Sequence, residues 1–212
     1  MELKTRVLTA GAVVLLLISA CAPTMTRPKA KEYVYDYLMA TAKYKGETYK
    51  VKPKYSSWVV ETSDFAFAAS LVPDYVVIYT DEKGGIAEGG PKQIEFDLKN
   101  KTKEPIEIIW ASSSIVLPDG SASRVMHKGQ KFLEKDRPAP PSIIPPGAIL
   151  SDLAAPSDLI YWSDSRTEWV VMPMFRSLHN GQGITLLLAL NVGGQKEYFQ
   201  VHWEASRTFP KP

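Results

Sequence analysis

A mostly β, antiparallel sandwich is the fold class this sequence predicts, and three observations predict it. Short runs alternate apolar and polar residues with period two, as in Ile94, Phe96 and Leu98 against Glu95, Asp97 and Lys99. Turn signals recur between those runs, among them Pro118-Asp119-Gly120 and Asn191-Val192-Gly193-Gly194. No long segment carries the 3.6-residue period of an amphipathic helix, so layers of helix are excluded. Composition agrees: of 212 residues, 45% are hydrophobic and 23% charged, within the ordinary globular range. A net charge of +2 is too balanced to argue for a nucleic-acid partner, which normally shows a concentrated basic patch. One Cys excludes an intrachain disulfide framework and any multi-Cys metal site.

In chain order, the first segment reads as a secretory signal peptide over residues 1–20. Lys4 and Arg6 form a basic start, Val7 to Ile18 is apolar apart from Thr9 and Gly11, and Ser19 and Ala20 form a small-residue exit. The run is too short for a comfortable membrane span. Its ending, Leu17-Ile18-Ser19-Ala20-Cys21-Ala22, resembles the bacterial lipobox. That resemblance implies cleavage between Ala20 and Cys21, a diacylglycerol on the Cys21 sulfur through a thioether, and in many bacteria a fatty acid on the freed amine. The plainer reading is a buried thiol at the end of an uncleaved helix. Against it, the only cysteine of the chain stands where lipidation needs it, and an oxidising compartment penalises a stray thiol. Ala22 after the cysteine implies, by the same resemblance, sorting to the outer membrane. The expected membrane partner is thus reached through lipid on Cys21, and residues 21–31 are a lipidated tether rich in small and polar residues.

Residues 32–91 form an N-terminal β-rich portion expected to pack on the sandwich core of 92–212. Tyr33, Tyr35 and Tyr37 alternate, as do Phe65 and Phe67, and Tyr75 to Tyr79 is a run of β-formers. Thr62 to Leu71 admits one short helix instead, because Ala66, Ala68 and Ala69 favour it. Asp81 to Pro91 is Gly-rich and reads as a loop. Gln93 to Asn100 and Ile106 to Trp110 read as an antiparallel hairpin joined by a polar turn. Asp136 to Pro156 holds five prolines between Pro138 and Pro146, so a semi-rigid crossing is expected there, with no central strand. Glu168 to Phe175 reads as an edge strand, Ile184 to Leu190 as a strand buried on both faces, and Gln195 to Ala205 as its returning partner, with Phe199, Val201 and Trp203 inward.

This half is similar to the immunoglobulin-like sandwiches of bacterial envelope proteins. The residues that carry the similarity are Phe96-Asp97-Leu98-Lys99-Asn100, Pro105-Ile106-Glu107-Ile108, Ile144-Pro145-Pro146-Gly147 and the hairpin around Asn191 to Gly194. The likeness covers residues 92–205, lacks the cysteine pair of antibody domains, and implies a fold without implying a reaction.

Chemistry-bearing residues are sparse. Of His127, His179 and His202, only His202 has an acidic residue on its own strand face, Glu204. Such a pair can give two ligands of a metal, or simply a solvent-facing polar stripe. Ser112-Ser113-Ser114 lies outside any Gly-x-Ser-x-Gly elbow, and Asp152, Asp158 and Asp164 lack calcium-loop spacing. Nothing calls for a cofactor. The most informative surface segment is Arg124 to Arg137, where Arg124, His127, Lys128, Lys131, Lys135 and Arg137 outnumber Glu134 and Asp136. It reads as a docking loop for a protein or anionic envelope polymer, or as a solvated connection. The tyrosines between Tyr33 and Tyr55 suit a recognition surface or cross-strand pairing. The expected function is a non-enzymatic binding or assembly module tethered to the cell envelope. The competing expectations are a small envelope hydrolase or metal-dependent enzyme, and a structural spacer.

Overall fold

The computed structural model describes residues 31–54, 57–72, 75–80, 86–88, 90–175 and 182–208. The signal-peptide, Ala20–Cys21 and tether expectations on residues 1–30 lie outside them, as do His179 and most of the Gly-rich 81–91 stretch. Strand accounts for 60% and helix for 6%, which makes the protein mostly β. In chain order the strands are β1 Lys31–Tyr44, β2 Glu47–Tyr49, β3 Lys52–Lys54, β4 Ser57–Glu61, β5 Phe65–Val72, β6 Tyr75–Thr80 and β7 Ile86–Glu88. They continue as β8 Gln93–Asn100, β9 Ile106–Ile108, β10 Ser114–Val116, β11 Ala122–His127, β12 Ser142–Ile144 and β13 Ile149–Pro156. The last are β14 Ile160–Ser163, β15 Glu168–Val171, β16 Gly183–Val192 and β17 Gln195–Thr208. Single 3-10 turns occupy Trp110–Ser112, Phe132–Glu134 and Ser157–Leu159.

One antiparallel sheet runs β3-β4-β5-β8-β13-β11-β10-β16-β17-β1-β6-β7, with β9 on β16, β12 on β9 and β2 on β1. Strands from the 32–91 stretch and from 92–208 are therefore hydrogen-bonded into the same network. β11 is the pivot. Its first residues, Ala122 to Arg124, pair with β10, and its last, Val125 to His127, pair with β13. The sheet curls there until the inner faces of its two halves meet. Phe65 and Phe67 on β5 lie 5.0 and 4.9 Å from the ring of Phe199 on β17, although those strands stand far apart in the strand order.

Period-two patterning decides which side chains meet. Along β5 the burial alternates residue by residue, with Phe65, Phe67, Ala69 and Leu71 inward. Ile94, Phe96 and Leu98 of β8 and Phe199, Val201 and Trp203 of β17 do the same. Each fully buried side chain of this size contributes about 1.5–3 kcal/mol relative to exposure. Tyr44 completes the ring cluster, edge-on to Phe65 at 4.9 Å. Its hydroxyl donates to Asp64 Oδ2 at 2.8 Å, which also takes Lys45 Nζ at 2.8 Å.

Several sequence expectations need correction. Thr62 to Leu71 is no helix. The Thr62 hydroxyl accepts the Phe65 N–H at 3.0 Å in a tight turn, and β5 follows with its alanines Ala66 and Ala68 on the outward face. The β8–β9 hairpin does not form. Both edges of β8 are taken, by β5 and β13, so the returning chain crosses to pair with β12 and β16. Buried Asn100 makes that corner: its Nδ2 donates to Glu104 O at 2.7 Å and Ile144 O at 2.9 Å, while Oδ1 accepts the Thr102 N–H and hydroxyl. The 136–156 segment does contain a central strand, β13, between β8 and β11. Its prolines stop at Pro146, where Gly147 (φ +75°) closes a turn through the Ala148 N–H to Pro145 O bond, and Pro156 falls at the strand's last residue.

Smaller corrections follow the same logic. β15 ends at Val171, two residues before the proline, in a separate two-stranded sheet with β14. β16 is buried on both faces only toward its end, at Leu188 to Leu190. Thr185 and Leu187 stay half-buried. The closing hairpin is as expected, with Gly193 (φ +60°) and Gly194 (φ +79°) supplying the left-handed pair a two-residue turn demands.

Candidate functional site

The basic 124–137 stretch and the β14–β15 hairpin meet on one surface. After β11 the chain is turned back by its own backbone: Gln130 Nε2 donates to Glu134 O at 2.8 Å and to Arg137 O at 3.2 Å, and an Arg124 guanidinium nitrogen donates to Asp136 O at 2.7 Å. This self-bonded loop presents Phe132 and Leu133 on a 3-10 turn. Opposite it, Trp162 and Trp169 are a directly facing cross-strand pair of β14–β15, with ring centroids 5.8 Å apart and nearly perpendicular. Trp169 in turn lies 5.6 Å from Phe132.

The rings thus form a continuous row, Trp162–Trp169–Phe132, ending on Leu133. Exposure is high: 46% for Trp162, 38% for Phe132 and 82% for Leu133. A shallow hollow of about 380 Å³ lies among them, with Gln130 and Lys131 on its wall. Beneath the row sits a small core of its own. Met126, Ala155 and Ile160 are buried there, with Leu153, Trp169 and Val171 packed against them. Trp169 therefore has one side on that core and one side in the row, which fixes the hairpin's position. Large exposed apolar surface of this kind, rimmed by polar residues, marks a contact site.

The rim is cationic. Lys131, on the wall of the hollow, and Arg137, on the same loop, are exposed and make no ion pair among the described residues, whereas exposed Lys128 lines a different hollow with Glu95, Asp97 and Asp152. The nearby acids are partly spoken for, with Lys135 3.1 Å from Asp136 and Arg166 3.9 Å from Glu168. Such exposed pairs contribute little stability and leave the surplus positive charge at the surface.

His127, read from sequence as one of the basic residues of this loop, points the other way. Its ring stacks flat on Trp110, centroids 4.2 Å apart and 4° from parallel, with Nδ1 3.3 Å from Asp152 Oδ2. Buried Asp152 also accepts the Lys128 N–H at 2.8 Å and the Leu153 N–H at 2.7 Å, both on Oδ1. This group fastens the root of the loop to β13. A histidine oriented by a buried carboxylate is the supporting half of a nucleophilic triad. The contact clamps the root of the loop, and among the described residues no hydroxyl is hydrogen-bonded to its other nitrogen.

The remaining candidates separate. The His202 Nδ1 is 2.9 Å from Thr185 Oγ1, and its ring covers Gly183, where a Cβ would collide with that imidazole and with the Trp203 carbonyl. Glu204 is exposed on the same strand, and among the described residues no group of three His, Cys, Asp or Glu is placed to hold a metal. Ser113 Oγ is tied to Ile109 O and the Ala189 N–H, and Ser112 Oγ accepts from Lys196. Asp152 is in the clamp, Asp158 is exposed on its 3-10 turn, and Asp164 is exposed at the β14–β15 turn. A second hollow, of about 410 Å³, lies over Ala68, Ser70 and Asp97, where Ser151 donates to Asp97 at 2.5 Å.

Sequence reasoning singled out the loop and missed its aromatic partners. The available signal was Trp162 and Trp169 flanking the polar run Ser163 to Thr167, the pattern of a hairpin with a tryptophan on each leg. No protein-family model, no curated protein and no solved structure matches this chain.

Proposed function

We propose that this protein is a lipid-anchored, non-enzymatic binding module of the bacterial cell envelope, held in the outer membrane through Cys21 and engaging another envelope component through the Trp162–Trp169–Phe132–Leu133 row. The observation that carries the binding role is the row itself: Trp162, Phe132 and Leu133 exposed together, joined by half-buried Trp169 and backed by a separate small core. The lipobox-like Leu17-Ile18-Ser19-Ala20-Cys21 ending supports the anchor. An immunoglobulin-like sandwich is supported by the convergence of its marker segments. Ile106 of β9 pairs with Ile144 of β12, and Asn100 bonds both their neighbourhoods through Glu104 O and Ile144 O.

Two measurements in intact cells test this. Clickable fatty acid should label the wild type and leave Cys21→Ser unlabelled and released from the membrane fraction; equal labelling of both removes the anchor. A photo-crosslinking residue at Leu133 should give adducts, whereas one at Lys103, in the exposed turn between β8 and β9, should give none. Adducts at neither position, or equally at both, remove the binding role.

A further inference from the structure

The chemistry of the aromatic row and its rim names the component it fits. Tryptophan combines a large apolar body with a polar N–H suited to the wet boundary of a bilayer and concentrates at that depth, while phenylalanine and leucine add apolar surface beside it. Lysine and arginine around them add attraction to anionic headgroups that falls off within a Debye length. Both features occur here on one surface. Arg124, Lys128, Lys131, Lys135 and Arg137 stand against Glu134 and Asp136, and the hairpin adds Arg166 against Asp164 and Glu168. The surface is cationic where the rings are most exposed, because Lys131 borders the same hollow as Phe132, Leu133 and Trp169.

Chain length adds an independent argument. Only residues 22–30 separate Cys21 from the start of β1 at Lys31. At no more than about 3.5 Å per residue, they hold the start of β1 within roughly 35 Å of the lipid attachment point. A body tethered that closely presents its surface to the bilayer at high effective concentration, so even weak affinity for headgroups is realised.

We infer that the Trp162–Trp169–Phe132–Leu133 row, with Lys131 on its rim, is a second membrane contact, seating the β14–β15 hairpin and the 131–137 loop on an anionic phospholipid surface. The inference rests on the anchored-module reading and deepens it. One acyl-modified residue leaves the body free to swing about its tether. A second contact fixes which face of the sheet looks away from the membrane. The loop suits the task because the His127–Asp152 clamp and the Gln130 bonds hold its backbone while the side chains stay exposed.

The test uses the full chain on vesicles of phosphatidylcholine alone or with phosphatidylglycerol. In the lipidated protein the sole native thiol is consumed as a thioether, so Leu133→Cys offers one site for a polarity-sensitive dye, with Lys103→Cys as the control. Flotation with the vesicles reports the anchor, and dye emission reports the contact. The expected result is a blue-shifted dye at position 133 that grows with phosphatidylglycerol content, vanishes in 1 M salt and leaves position 103 unchanged. Lys131→Gln should weaken the seated population roughly fivefold. The same blue shift, weaker, should persist when Cys21→Ser removes the lipid. A chain that floats while the dye at 133 stays aqueous overturns the second contact and leaves the anchor standing. Equal shifts on neutral and anionic vesicles overturn the electrostatic assignment. A concentration-dependent shift without vesicles shows that a second copy of the chain covers the row, and overturns it as well.

Discussion

Two aromatic clusters of similar size sit in this molecule and have opposite fates. Tyr44, Phe65, Phe67 and Phe199 are buried almost completely, each ring edge-on to a neighbour. Phe132, Trp162 and Trp169 make ring contacts at comparable distances, yet Phe132 and Trp162 stay open to solvent. The difference lies in what surrounds them. The first cluster comes from strands on both halves of a curled sheet, so curling encloses it. The second rests on a two-stranded sheet and a short 3-10 turn, and none of the described residues encloses Phe132, Leu133 or Trp162. Ring chemistry alone does not decide burial; the number of elements available to cover the rings does.

That contrast can be broken most severely at its enclosed end. Phe199→Ala removes the ring on which Tyr44, Phe65 and Phe67 converge, and should cost about 3–5 kcal/mol in urea-denaturation experiments. A loss below about 1 kcal/mol would mean that the two halves do not press on this residue. Next in size is Asn100→Ala, which removes the amide donor from the buried Ile144 carbonyl and one of two side-chain donors from the Glu104 carbonyl, and should lower stability by about 2–3 kcal/mol. Asn100→Asp should restore little, because a carboxylate cannot donate to either oxygen.

Asp64→Asn tests the polar border of the enclosed cluster, with an expected loss of about 1–2 kcal/mol at pH 7. Burial pushes the Asp64 carboxyl up, but hydrogen bonds from Lys45, Tyr44 and Ser63 outweigh it and hold the group below the ordinary carboxylate range. A depressed native pKa stabilises the fold above the unfolded value near 4 and loses that contribution as pH falls through the native one. Wild type should therefore lose stability more steeply than Asp64→Asn between about pH 4 and pH 2. Tyr44 has the opposite sign. Burial first, then the Asp64 hydrogen bond and charge, raise its pKa well above the usual 10.0, so its contribution is intact below pH 10 and declines above it. Parallel acid limbs, or a Tyr44→Phe variant with an unchanged alkaline limb, would separate these groups from the pH response.

The smallest effect belongs to the open cluster. Leu133→Ser should leave the denaturation midpoint within about 0.5 kcal/mol of wild type, because the side chain gives up almost no buried contact. A larger loss would show that the row stabilises the fold, and the comparison drawn above would need revision.

Local pattern carried much of this architecture into the sequence. The alternation in β8 and β17, the paired phenylalanines of β5 and the Gly193-Gly194 turn depend on neighbouring residues only, and each reads correctly. Pairing partners did not read, because they depend on which strand edges are already occupied. Ile106 to Trp110 has all the marks of a hairpin leg, yet β13 takes its place beside β8. β13 itself was hidden by prolines that end at Pro146, three residues before it starts. The site followed the same division. The basic loop was visible as composition, whereas its meeting with Trp162 and Trp169 is a product of the fold. His127 counted as surface charge because Asp152, its partner, is 25 residues further along.

The pairing of β1 with β17 carries a consequence for how the chain matures. Val34 to Tyr44 finds its longest ladder only in Phe199 to Thr208, so that seam stays open until β17 has been made. Until then Phe65 and Phe67 lack the ring of Phe199, and a nascent chain exposes greasy strands awaiting a late arrival. Postponed closure of this kind makes the β1–β17 seam the last long pairing that a growing chain can complete.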